Sequence, residues 1–286
     1  MTRRWSGDWG VPAGAADPEI DVLIPSFARS AELAVTLAGL AAQDTPDFRV
    51  IISDQTDGDP AWEHPAVQAM VRVLRAQGRG VQCGRHLPRR GLAEHRSHLL
   101  GLAEAPSVLF LDNDVWLEPG TLQRMRTALT ASGAGFVGSA VQGLSYLTDD
   151  RPQERAPLEF WEDGRVAPER VRTSSPGFTR WPLHNAANLA HAAAGLDLEP
   201  GAWLLYKVAW VGGCVLFDRS ALEECGGFDF WEDLPPAHAG EDIAAQWRVM
   251  ERHGGAGLLP SGAVHLESPT TVTDRAIDAA GVILGQ

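Results

Sequence analysis

Four short apolar runs constrain this chain more than any other feature, because each ends in a polar turn and each is followed by a helix-period stretch. Residues 20–25 (IDVLIP), 48–53 (FRVIIS), 81–85 (VQCGR) and 107–111 (SVLFL) have the length and composition of strands. Between and after them, Leu33, Leu37 and Leu40 repeat at helical spacing behind Ser30 as an N-cap. Val67, Val71 and Leu74 mark a helix that stops near Gly78, Leu92, Leu99 and Leu102 mark another, and Pro119 opens a fourth at a first-turn position. Strands alternating with helices of this length predict an α/β fold, a mostly parallel sheet covered on both faces.

In open sheets of that kind ligands sit beyond the carboxyl ends of the strands. Here three strands deliver Pro25, Ser26 and Arg29, then Asp54, then Asp112-Asn113-Asp114 to that edge. Neither G-x-x-x-x-G-K-[ST] nor a G-x-G-x-x-G after the first strand is present, so a P-loop and a dinucleotide fingerprint are both excluded. The net charge of −13 disfavours any binding mode resting on broad phosphate neutralisation, such as duplex DNA or an anionic membrane surface.

The second half is less regular. Residues 143–207 are rich in Pro, Gly and polar residues and read as an insertion beside the site. Order resumes with a strand at 208–217 (VAWVGGCVLF), a helix at 218–225, a GGFDFWED loop, a helix at 241–253, and short strands at 257–259 and 263–266. Residues 1–19 form a leader with Arg3 and Arg4 but no apolar core of a signal peptide, which Trp5 and Trp9 would pin to the domain; residues 269–286 read as a tail. No window is apolar enough to span a membrane. Cys83, Cys214 and Cys225 form no C-x-x-C and leave one unpaired, so reduced thiols and a cytoplasmic location are expected.

Taken singly, the candidate residues each have a plain structural reading. Asp57-Gly58-Asp59 is a second D-x-D, so the triplet at 112–114 means something only because an apolar strand runs directly into it. Two carboxylates on one tight turn can hold a hard divalent cation, or can be a solvated strand end. Asp54 can bind a ligand or cap its own loop, and Arg96 can be a surface residue. Glu241 and Asp242 suit the first turn of any helix, where the dipole favours carboxylates and holds their pKa low. Gly212 and Gly213 interrupt a strand, as happens where backbone approaches a ligand, and Trp210 beside them is either a stacking wall or core. Five tryptophans between Trp161 and Trp231 leave the same choice open.

As an ordered set these elements resemble family 2 glycosyltransferases of the GT-A fold, a Rossmann-like sheet. IPSFARSAELAVTLAGLAAQ, FRVIISDQTDG and RRGLAEHRSHLLGLAEAPSVLFLDNDVWLEPG resemble the nucleotide-sugar-binding half, residues 20–142. WVGGCVLFDRSALEECGGFDFWED, AGEDIAAQWRVMERHG and AVHLESP resemble the acceptor half, residues 208–268. Two departures stand out: the family's Asp-Asp after the second strand is Ser53-Asp54, and the centre of the metal turn is Asn113. The resemblance implies a nucleoside pocket at Pro25, Ser26, Arg29 and Asp54, with Gly91, Arg96, Asp112, Asn113, Trp210, Gly212 and Gly213 also on the donor. It implies Mn²⁺ or Mg²⁺ on Asp112, Asp114 and His265, and Asp242 as general base with Glu241 as its partner. The donor would be a UDP-, GDP- or TDP-sugar, the acceptor a hydroxyl, and the outcome inversion. A sugar nucleotidylyltransferase is the rival enzyme, although residues 25–30 lack the Gly and Lys it wants; a non-catalytic sugar-nucleotide or glycan-binding module is the other.

Overall fold

The computed structural model describes residues 6–11, 14, 17–199, 201–272 and 274–285. The first half alternates as β1 (Ile20–Ser26), α1 (Ser30–Ala41), β2 (Phe48–Asp54), α2 (Pro65–Ala76), β3 (Gly80–Arg85), α3 (Leu92–Leu100) and β4 (Ser107–Leu111). Then come β5 (Val115–Leu117), α4 (Thr121–Ser132), β6 (Phe136–Gly138) and β7 (Gln142–Gly143). The irregular middle holds α5 (Pro152–Arg155), a 3₁₀ stretch at Pro176–His184, α6 (Asn188–Ala194) and β8 (Leu204–Tyr206). The remainder is β9 (Cys214–Asp218), α7 (Arg219–Glu224), α8 (Glu241–His253), β10 (Gly255–Leu259), β11 (Ala263–His265) and α9 (Ala279–Leu284).

Eight strands form the main sheet in the order β3-β2-β1-β4-β9-β6-β10-β8. β9 lies antiparallel between β4 and β6, and β8 is antiparallel to β10; the other pairings are parallel. The strands are apolar on both sides because both faces are covered. Ile20, Val22, Ile24, Val50, Ile52, Leu109 and Leu111 join one core layer with α1, α2 and α4. Leu23, Ile51, Val108 and Phe110 join the other with α3, α7, α8 and α9. Each such buried side chain stabilises the fold by roughly 1.5–3 kcal/mol relative to exposure. No helix among the described residues is long and apolar enough to cross a membrane.

The sequence reading needs four corrections. Ser30 is the first helical residue and makes no cap; α1 begins after Arg29 without a side-chain cap. Pro119 lies in the preceding turn, since α4 starts at Thr121 behind the left-handed Gly120 (φ +82°). The strand expected over 208–217 is confined to β9. Gly213 turns left-handed (φ +75°), and residues 209–211 bond to α8 through Gln246 and Trp247 rather than to a strand. Finally, the expected tail does not hang free: Ala279 and Ala280 are buried against α8. Trp9 is 45% exposed, and Trp5 falls outside the described residues.

Candidate functional site

Two adjoining cavities open at the carboxyl ends of β1, β2 and β4, one of about 810 Å³ and one of about 390 Å³, sharing Pro25, Leu92, Asn113, Thr271 and Val272. The larger gathers Arg29, Arg96, Asp112, Asp114, Trp210, Gly212, Gly213, Glu241, Asp242 and His265; the smaller takes Ser26 and Gly91. Every residue singled out in the sequence therefore meets at this edge except Asp54. A cleft of about 470 Å³ at the opposite end of β4 includes Asp218, whose carboxylate caps α7.

The D-x-D turn is placed by strand pairing on either side of it. β4 runs buried into Asp112, whose N–H donates to the Gly213 carbonyl at 2.8 Å. β5 follows at once and pairs with β11 in a small three-stranded sheet, with His265 opposite Val115. The Leu266 N–H donates to the Asp114 carbonyl at 2.9 Å, so His265 comes to rest with Nε2 3.5 Å from Asp114 Oδ2. That same oxygen accepts from Arg29 Nη1 at 2.5 Å, and Arg29 also donates to the Pro269 carbonyl. Arg29 thus faces the acidic turn and not the nucleoside pocket assigned to it from sequence.

The three expected metal ligands are not gathered into one set. Asp114 and His265 share a corner, but Asp112 turns to Arg96, accepting from Nη2 at 3.2 Å. Among the described residues no group of three or more His, Cys, Asp or Glu is assembled to hold a metal ion. The donor chemistry nevertheless suits a hard divalent cation: two carboxylates and an imidazole, with positive charge already seated on Asp114 in the form of Arg29. Hydrogen bonding to Asp114 raises the His265 pKa, while its Nδ1 accepts from the Glu267 N–H at 2.9 Å. A cation there needs Arg29 to leave, and ligation through Nε2 needs the Glu267 contact to open.

Across the cavity, α8 begins behind Gly240, which is left-handed (φ +78°) and leaves no room for a Cβ beside Asp278. Glu241 is buried and accepts from Arg96 Nε at 3.0 Å. Arg96 is no surface residue: it is 5% exposed, clamped between Glu241 and Asp112, with its guanidinium 5.4 Å over the Phe110 ring. Asp242 keeps a face toward the cavity, and its pKa is raised to about 7, by burial first and then by the like charge of Glu241, against the pull of Arg96. The sequence-based expectation of a pKa held low by the helix dipole is therefore wrong. Loss of hydration and a carboxylate on the adjacent residue outweigh the terminal field.

The reading of Asp54 as a ligand-binding residue is corrected too. Its carboxylate is fully buried and turned into its own loop, accepting from the Thr56 N–H (2.9 Å), the Thr56 hydroxyl (2.6 Å) and the Ala61 N–H (2.5 Å). Thr56 Oγ1 in turn accepts from the N–H of Ala28, a non-glycine residue at φ +52°. Asp54 thus positions the turn that carries Phe27 and Arg29 and does not itself line either cavity. Ser53 Oγ bonds to His95 Nε2 at 2.8 Å, and burial pushes the His95 pKa down to about 3.

Several lining residues escaped sequence reasoning. Gln55 is 5% exposed, lines the smaller cavity, and has a buried, unpartnered Nε2. Arg89 stacks over Phe27 with its guanidinium carbon 3.7 Å from the ring centroid. His238 accepts from the Ala93 N–H at 3.1 Å and so caps α3, and Gly91 (φ +107°) is needed because a Cβ would fall 2.5 Å from the His238 ring. From the stretch expected as a tail, Thr270, Thr271, Val272, Arg275 and Asp278 line the larger cavity, next to Ser268. Only Gln55, one step beyond Asp54 at a strand end, carried a local signal.

A family model described as glycosyl transferase family 2 matches residues 21–226. Among solved structures, the mannosyltransferase PcManGT from Pyrobaculum calidifontis, in complex with GDP-Man and Mn²⁺, is similar with a TM-score of 0.56 and 18% identity over 92% of this chain and 61% of that one. S. aureus TarS 1–349 is similar with a TM-score of 0.53 and 15% identity over 86% of this chain and 60% of that one. TarS 1–349 in complex with UDP-GlcNAc gives 0.50 and 15%, over 89% and 60%. The chain thus spans about three-fifths of each of these structures, and the likeness shows that they share its fold. No curated protein matches.

Proposed function

The chain belongs to glycosyl transferase family 2, and from that premise we propose that it moves a glycosyl group from a nucleoside-diphosphate sugar to an acceptor hydroxyl, with inversion at the anomeric carbon. The observation that carries this is one cavity holding, on opposing elements, an acidic D-N-D turn and a carboxylate whose pKa lies near neutrality. Asp242 lies beyond the residues the family model matches, so its role rests on this geometry.

The nucleoside belongs in the smaller cavity, between Phe27, Gln55 and Gly91, and the diphosphate at the Asn113 border where the two cavities meet. Structures similar in fold hold GDP-Man or UDP-GlcNAc, which supports a donor of that class. Asp114, Asp112 and His265 would hold Mn²⁺ or Mg²⁺, which when bound supplies positive charge against the leaving diphosphate. Arg29, freed from Asp114, is within the same cavity to pair with phosphate oxygens.

Ionised Asp242 accepts the proton of the acceptor hydroxyl as that oxygen attacks the anomeric carbon from the face opposite the nucleotide. Arg96 bonds to both Glu241 and Asp112, so the turn carrying the donor and the helix carrying the base keep a fixed spacing. In this reading residues 20–142 bind the donor and residues 208–268 carry the base. Three free thiols support a cytoplasmic setting.

The test is a thermal-shift panel of UDP, GDP, TDP and CDP with Mn²⁺, followed by turnover of the matching sugar nucleotide and NMR assignment of the product anomer. A nucleotide at about 100 times its Kd should stabilise the fold by about 2.7 kcal/mol. No stabilisation by any of the four would count against the donor site, and a retained anomeric configuration against inversion.

A further inference from the structure

The larger cavity has two chemically different ends. One carries Asp112, Asp114, Arg29 and His265; the other is faced by aromatic rings from the irregular middle segment and the loop before β9. Trp181 and Trp210 lie with centroids 5.1 Å apart and planes at 35°, and Phe178 continues the surface 5.0 Å from Trp181, also at 35°. Buried Trp247 meets Phe178 edge-on at 6.5 Å, and His184 meets Trp210 edge-on at 5.9 Å.

The wall is held rigidly. Gln246 bonds both the N–H and the carbonyl of Val211 (2.8 and 2.7 Å), and Trp247 Nε1 donates to the Ala209 carbonyl at 2.8 Å, fixing the backbone on both sides of Trp210. Gly212 lets the indole lie against the chain, since a Cβ there would fall 2.8 Å from its ring. The anchoring residues sit on α8, the helix whose first turn carries Asp242. All five tryptophans between 161 and 231 pack against the core, and of them Trp181 and Trp210 also line this cavity.

Charge narrows what the wall can face. Arg172 is bonded to Glu251 at 2.6 Å and Arg180 to Glu169 at 2.8 Å, both turned away into ion pairs. In the cavity, Arg29 and Arg96 are paired with carboxylates, and Arg275 bonds to Thr270 of its own loop. Against them stand Asp112, Asp114, Glu241, Asp242 and Asp278.

We propose that the aromatic wall is the acceptor subsite, Trp210 serving there and not on the donor as the family resemblance implies, and that the acceptor presents an uncharged saccharide ring to it. A pyranose has C–H faces that pack on the electron-rich face of an indole, while the hydroxyls at its rim remain free for one of them to reach Asp242. A polyphosphate or carboxylate-rich chain would meet five lining carboxylates, with Arg275 the one described lining arginine that is not paired to a carboxylate. The inference rests on the glycosyl-transfer reading for the identity of the other end of the cavity.

The test uses the full chain in saturation-transfer NMR at neutral pH. The neutral probes are cellobiose, maltose, lactose and N,N′-diacetylchitobiose; the charged probes are a glucuronate-containing disaccharide and a short poly(glycerol phosphate). At least one neutral disaccharide should bind through its ring C–H protons, at least tenfold more tightly than either charged probe, and stay bound when UDP or GDP with Mn²⁺ is added. Trp181→Ala should weaken that binding about tenfold, the loss of one stacked aromatic contact, with the nucleotide thermal shift unchanged. Trp181→Leu, which keeps apolar packing on Phe178 without a ring face, should weaken saccharide binding likewise and guards against misfolding of the alanine variant. The inference is overturned if nucleotide binds but no neutral disaccharide does, if nucleotide displaces the saccharide, if the phosphate chain binds best, or if Trp181→Leu leaves affinity unchanged. Saccharide binding without any nucleotide binding would leave the saccharide site standing and remove the glycosyl-transfer reading instead.

Discussion

Asp242 shows how a residue's chemistry is set by its neighbours. With a pKa near 7 the native state binds a proton that an ordinary carboxylate would have lost near 3.8. Two outcomes follow in opposite directions. A base must be ionised, so kcat should rise with pH along a limb centred near 7 and fall about tenfold per unit well below it. Ionising the same group weakens the fold, because between pH 3.8 and 7 the native state holds more protons than the unfolded one and stability declines as pH rises. Asp242→Asn should therefore lower kcat by about 10²–10⁴ while raising Tm at pH 8, each kcal/mol being worth roughly 2–4 °C in a chain near this size. Calorimetry at pH 5 and pH 8 separates the two, since the gain should shrink at pH 5. An unchanged kcat would place the base elsewhere. The identity of this residue was readable in the sequence; its proton affinity was not, because that depends first on its burial in the fold and then on the charges of Glu241 and Arg96 beside it.

Elements place the site through bonds that the local pattern does not announce. Asp54 was legible as a strand-end carboxylate, yet it reaches no cavity and instead holds Thr56, which holds Ala28. Asp54→Ala should cost about 1–3 kcal/mol, leaving buried N–H donors unpaired, and should weaken nucleotide binding by loosening the turn of Phe27 and Arg29. Urea denaturation and nucleotide titration of the same variant check both; loss of affinity with no loss of stability would restore the direct-contact reading. At the other end of β1, Asp21 is fully buried and accepts from Arg49 (2.8 and 2.9 Å) and from the N–H groups of Glu104 and Ala105. These partners lower its pKa despite burial, so the stability it contributes is present above about pH 4 and is lost as pH falls through the depressed value. Asp21→Asn should destabilise the protein by about 1–3 kcal/mol at pH 7, with the deficit narrowing in acid; a pH-independent difference in urea midpoint would contradict this. β11 is the strand expected at 263–266, while the three-residue β5 did not announce itself, and the pairing of the two is what carries His265 to Asp114.

At the scale of the whole molecule, the proposed donor site would join charges that repel in the absence of a cation. A diphosphate beside Asp112 and Asp114 needs compensating positive charge, which Arg29 alone cannot supply while it neutralises Asp114. Calorimetric titration of the preferred nucleotide should show affinity at least tenfold lower in chelator than with Mn²⁺, and Asp114→Asn should remove most of that difference. Equal affinity in chelator would withdraw the metal assignment from Asp112, Asp114 and His265 together. What the sequence determined by itself was the layered α/β sheet, its active edge, and nearly every residue of the larger cavity's polar end, because strand runs and the turns that end them are local in the chain. What only the tertiary structure decided was how those residues are used: Asp54 and Arg96 within the fold, Arg29 on Asp114, Asp242 near neutrality, and Trp181 and Trp210 as one wall. Apart from the local bonds of Asp54 to Thr56 and Ala61 and the charge of neighbouring Glu241 on Asp242, these depend on contacts between distant segments, 85 residues apart for Arg29 and Asp114 and 145 for Arg96 and Glu241, and burial, partner charge and ring geometry are properties of such contacts and not of any single stretch of chain.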